Sequence, residues 1–99
     1  MLISEYMFMF NDCVDYLDEH LRSSVKDMDT LAEVVCAYCC KSTGRWDALC
    51  EYHPTLTAAI GKVCANAEIK FPYIVDIALQ ELAEKYISEL EGAMKRDSI

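Results

Sequence analysis

Ninety-nine residues make one small domain, which buries only about two-thirds of the surface its unfolded chain exposes. A net charge of −8, from 17 acids and 9 bases, argues against direct contact with nucleic acid or an anionic membrane, because phosphate binding needs a basic face. With three glycines, two prolines, abundant Ala, Leu, Glu, Met and Lys, and no strand-type alternation, the expected fold class is all-α.

The first helix is predicted over about residues 3–22. Ile3, Met7, Phe10, Val14, Leu17 and Leu21 recur at steps of four and three and form one apolar stripe, widened by Tyr6 and Cys13. Asp12, Asp15, Asp18 and Glu19 fall opposite it. Phe8 falls near that polar side. It reads either as a singly exposed aromatic, which is common, or as an anchor for a partner.

A polar connection, 22–29, carries Asp27 and Asp29. The second helix is expected to open at Thr30. Thr30-Leu31-Ala32-Glu33 has the form of a capping box, in which the threonine hydroxyl and the glutamate satisfy each other's backbone amides. Leu31, Val34, Val35 and Tyr38 make its apolar face, and Gly44 is its expected stop. A short helix over about 45–52 places Trp46, Leu49, Cys50 and His53 on one side, and Pro54 ends it. A fourth helix over about 55–67 places Leu56, Ala59, Ile60, Val63 and Ala67 on one face. Gly61 weakens it unless close packing requires a small residue there.

The connection 68–73 contains Pro72, a residue suited to a first helical turn. The last helix, about 73–96, has the core stripe Val75, Leu79, Leu82, Tyr86, Leu90 and Ala93. Lys85 is placed to pair with Glu81, and Lys95 and Arg96 oppose the negative end of the helix dipole. The whole is a single domain over 1–99, a compact bundle of about five helices, two long and two or three short. Ile3, Phe10, Leu17, Val35, Leu56, Ile60, Leu82, Tyr86 and Leu90 are expected to be buried.

No run approaches the ~18 apolar residues of a membrane span, and the opening apolar run is broken by Glu5 with no basic region before it. The expected location is cytoplasmic. Thiols stay reduced there, so six cysteines do not read as a disulfide framework.

Three constellations could carry chemistry. Cys36-x2-Cys39 and Cys50-x2-His53 offer three thiolates and an imidazole, a tetrahedral set suited to zinc, the one cofactor the sequence raises. Chance and the ordinary burial of cysteine explain the same pattern. The helical setting of the first pair favours core thiols and no metal. The same Cys-x2-Cys could be a redox pair, but such pairs sit at helix N-termini, where the dipole lowers the thiol pKa. Cys50 with His53 lacks an orienting third group and oxyanion donors, so the chain is not expected to be an enzyme.

The third constellation is the acidic set Asp12, Asp15, Asp18, Glu19, Asp27 and Asp29, with Phe8 beside it. Carboxylates three or four residues apart on a helix stand roughly 5–6 Å apart at Cβ, near the spacing of phosphates along a strand. Such a surface imitates nucleic acid toward a basic groove, or is simply solvated. The reading is a small acidic binding protein that docks on and inhibits or adapts a basic, nucleic-acid-handling protein. It could be a phage or mobile-element inhibitor of a host defence, or an immunity protein against a toxin. A zinc-stabilised adaptor built on Cys36, Cys39, Cys50 and His53 is the alternative, a thiol redox protein the lesser one, and homodimerisation is open.

Overall fold

The computed structural model describes the backbone of residues 2–97 and the side chains of residues 2–94. The chain is an all-α bundle of five α-helices: α1 Ile3–Ser24, α2 Met28–Cys39, α3 Arg45–Tyr52, α4 Pro54–Lys70 and α5 Val75–Asp97. A single 3₁₀ turn, Lys41–Thr43, separates α2 from α3. The described residues contain no strand.

Helix α1 is the frame on which the other elements are placed. Its second half is amphipathic, with Cys13, Leu17 and Leu21 fully buried. α4 runs antiparallel to it: Tyr16 meets Phe71 ring-to-edge at 5.8 Å, whereas Ser24 shares a surface groove with Leu56 and Ala59. α5 runs parallel to it, since Asp18 contacts Tyr86 and Arg22 contacts Glu89. α2 lies against α5, the most extensive helix pairing among the described residues, and α3 closes the bundle against α2 and α4. Leu17, Leu21, Leu31, Val34, Val35, Ile60, Leu79, Leu82 and Tyr86 meet in one core.

Four residues expected in that core are not fully in it. Ile3 is 81% exposed, and Phe10, Leu56 and Leu90 are only half-buried. Ala93 is exposed too. The long helices overrun their neighbours: α4 and the turn after it meet α1 near Cys13 and Tyr16, the core reaches back only to Met9 and Phe10, and the apolar stripe before them is exposed. The 3–4 spacing persists where the contact ends. The side chains of Lys95 and Arg96 lie outside the described residues.

Several local signals resolve differently from expectation. The N-cap of α2 is Asp27, not Thr30: the Asp27 carboxylate accepts the Thr30 backbone amide at 3.0 Å and the Thr30 hydroxyl at 2.7 Å. Aspartate is a stronger cap than threonine, and this earlier start lays Met28 on the core. α2 also ends earlier, at Cys39. The Cys40 carbonyl accepts the Thr43 amide and hydroxyl, which tightens the chain into the 3₁₀ turn. Gly44, at φ +82°, then closes that turn rather than α2, using the left-handed conformation for which it was singled out. Pro54 both ends α3 and opens α4 as its first residue. Pro72 lies in the turn before α5, followed by Tyr73 at φ +71°, a left-handed conformation uncommon for an aromatic residue.

Gly61 has no packing reason to be glycine, because a Cβ added there meets nothing within 4 Å. Gly61→Ala is therefore expected to stabilise the fold by about 0.5–1 kcal/mol, by removing backbone entropy from the unfolded chain. Urea unfolding should show a higher midpoint with an unchanged slope. A lower midpoint would mean that α4 needs glycine for some other reason.

Candidate functional site

On α1, Glu5, Phe8, Asp12, Asp15 and Glu19 follow one another at steps of three and four, and all five are exposed. Helical geometry puts them in one stripe along the side opposite the buried Cys13–Leu17–Leu21 face. Phe8, 73% exposed, stands within the stripe with Glu5 and Asp12 a turn away on either side. Of the sequence-predicted docking residues, Phe8, Asp12, Asp15 and Glu19 are thus brought together. Glu5 extends the set, and the same spacing could have found it. The first 21 residues contain five acids and no lysine or arginine, so no base on the helix neutralises this side before Arg22.

Asp18 does not belong to that stripe. Its side chain is only 22% exposed and turns toward α5. Its Oδ1 accepts the Tyr86 hydroxyl at 2.6 Å and the Arg22 Nε–H at 2.7 Å, and Lys85 Nζ stands 3.7 Å from Oδ2. Lys85 thus lies by Asp18 rather than forming the expected pair with Glu81. Arg22 continues the network to Glu89 at 2.9 Å, with its guanidinium 5.1 Å from the Tyr86 ring centre. Burial alone would raise the Asp18 pKa. The Tyr86 and Arg22 hydrogen bonds, with the charges of Arg22 and Lys85, outweigh that and hold it below the usual carboxylate range. Asp18 is a clasp between α1 and α5.

Asp27 and Asp29 stand at the start of α2, both exposed. Asp27 is occupied as the cap, and its carboxyl is held low by the Thr30 hydroxyl and amide. Asp29 sits in the first turn, where a negative charge complements the helix dipole. Both have local roles on α2 and lie apart from the α1 stripe, on a different helix.

All six cysteines are free thiols. Cys36 and Cys39 occupy the last turn of α2 and are half-buried, whereas Cys50 and His53 are exposed on and just after α3. Among the described residues no group of three or more His, Cys, Asp or Glu side chains is gathered so as to hold a metal ion. The four candidate ligands are distributed between two elements that meet through other groups: Trp46 packs edge-on to Tyr38 at 4.9 Å, and Lys41 Nζ lies 3.9 Å above the Tyr38 ring. Burial raises Cys39, Cys13 and Cys64 to about 11, so they remain protonated at neutral pH, the reverse of what a reactive thiol requires. A groove of about 400 Å³ between the end of α2 and α5 is lined mainly by polar groups, among them Lys41, Ser42, Asp76 and Gln80.

No helix among the described residues is long and apolar enough to cross a membrane. Comparison with protein-family models, with curated proteins and with solved structures finds no match to this chain.

Proposed function

We propose that the protein is a small acidic docking module that binds a basic, nucleic-acid-handling protein and inhibits or adapts it. In that role it would serve as a counter-defence inhibitor carried by a phage or mobile element, or as an immunity protein against a nuclease toxin. One observation carries the reading: the exposed stripe Glu5–Phe8–Asp12–Asp15–Glu19 on a helix that holds no lysine or arginine before Arg22. Four carboxylates in line give a directional negative field, and Phe8 supplies an apolar contact within it. A row of acids of this kind competes for the groove in which a partner's lysines and arginines hold phosphates. The binding partner is a protein, and the activity is occupation of its basic surface rather than chemistry.

Affinity capture from the native extract identifies the partner, and binding kinetics against it test the reading. Asp15→Lys with Glu19→Lys changes the net charge from −8 to −4 and places two cations in the middle of the stripe. Both side chains are exposed, so the melting temperature should hold. The on-rate should fall about tenfold or more at low ionic strength, and the difference should shrink with added salt as the Debye length shortens below about 10 Å. Excess duplex DNA or RNA should compete with the wild-type protein. An unchanged on-rate in the folded variant, or no competition by nucleic acid, would overturn the reading.

A further inference from the structure

The opposite side of the same helix has a separate property. Ile3, Tyr6, Met7 and Phe10 continue, at the same spacing, the face that Val14, Leu17 and Leu21 bury in the core. Yet Ile3 is 81%, Met7 57% and Tyr6 38% exposed, and Leu2 beside them is 67% exposed. Helix α1 begins without a side-chain cap, and of the seam only Phe10, half-buried, packs against the core. Residues 2–11 carry one charge, Glu5, and it lies on the far side of the helix within the acidic stripe.

We propose that this overhanging seam is a homodimer interface, covered by the same seam of a second copy. The arrangement is an antiparallel pair of α1 helices about a two-fold axis passing between Tyr6 and Met7. In that register Ile3 of one copy meets Phe10 of the other, and Tyr6 meets Met7, so every seam residue finds a seam residue. The match follows from the symmetric spacing 3, 6, 7, 10, which reads the same in both directions. A chain of net charge −8 should resist self-association, but the acids face away from this contact. The seam is the uncharged part of a helix that is otherwise strongly acidic.

Area and sterics agree with the charge argument. The uncovered side chains offer roughly 500 Å² per copy, about 1,000 Å² for the pair, near the lower bound for a specific interface. The overhang before Met9 and Phe10 spans about seven residues, roughly 10 Å of helix, so the two helix starts pair side by side with Phe10 at the edge of each bundle. The dimer presents its two acidic stripes outward in opposite directions, so each copy keeps its own stripe uncovered. The dimer does not depend on the acidic-docking reading, since it uses the other side of the helix.

Analytical ultracentrifugation of the full chain tests the proposal. The wild type should be in monomer–dimer exchange with a dissociation constant on the order of micromolar. Met7→Glu places two like charges beside the two-fold axis and should raise that constant roughly 100-fold. Met7→Lys should do the same, and mixing the two variants should restore a heterodimer, because opposite charges then meet across the axis. Met7 is exposed in the single chain, so circular dichroism should show both variants fully helical. Asp15→Lys with Glu19→Lys should leave the dimer intact. A wild type that stays monomeric at every concentration tested, a dimer indifferent to both Met7 variants, or variants that fail to recombine would each overturn the proposal.

Discussion

Leu17→Ala is expected to lower the unfolding free energy by about 3–4 kcal/mol, as a large-to-small truncation in the core does. Leu17 has no exposed surface and lies where α1 meets α4 and α5, so the lost side chain leaves a cavity that three helices cannot readily close. For a domain whose whole stability is on the order of 5–15 kcal/mol, that is a major fraction. The melting temperature should fall by roughly 12 °C or more. Ile3→Ala, in the same stripe by spacing, should change the stability of the dilute monomer by less than about 0.5 kcal/mol, because Ile3 is 81% exposed. Thermal unfolding of the two variants at low concentration checks the contrast. Equal losses would place the first turns of α1 in the core after all.

Asp18→Ala is expected to cost about 2–3 kcal/mol. The ion pairs with Arg22 and Lys85 are partly exposed and contribute little by themselves. Most of the loss falls on Tyr86, which has no exposed surface and gives its hydroxyl hydrogen bond to a charged acceptor. Removing that acceptor leaves a buried donor unsatisfied, whereas removing both partners together is far milder. Tyr86→Phe should therefore recover part of the loss when added to Asp18→Ala, giving a strongly non-additive double-mutant cycle.

The same clasp gives a dependence on pH of defined sign. The folded carboxyl of Asp18 has a lowered pKa, so the unfolded chain binds its proton first and the associated stability rises with pH. That stability is fully present above the ordinary aspartate value of about 3.9 and is lost as pH falls through the folded value. Denaturant unfolding of wild type and Asp18→Asn should differ at neutral pH and converge in acid. Parallel curves down to the lowest pH would show that Asp18 is not the group responsible.

The all-α class and the existence of five helices were legible in the sequence because periodicity is a local property of the chain. The spacing of Leu17, Leu21, Leu79, Leu82 and Tyr86 requires one buried side whatever that side packs against, and all five are buried. Helix ends were less legible. The cap of α2 fell on Asp27 rather than Thr30 because two adjacent signals competed, and burial of Met28 favours the earlier start. α2 stopped at Cys39 because the Cys40 carbonyl was taken by Thr43, a preference with no periodic signature.

The candidate site divides in the same way. Sequence alone determined a helix with one acidic and one apolar side, since residue type and a step of about 3.6 residues fix both. It could not determine which acids are free: Asp18 differs from Asp15 only in facing Tyr86, a residue 68 positions away in the chain. Nor could it determine where the apolar stripe ceases to be core. Ile3 and Leu17 have the same place in the period, and only the length of α4, its antiparallel course and its end near Cys13 bury one and expose the other. Amphipathicity is written residue by residue, whereas burial belongs to the pair of surfaces that meet, and the second surface exists only once the bundle has formed.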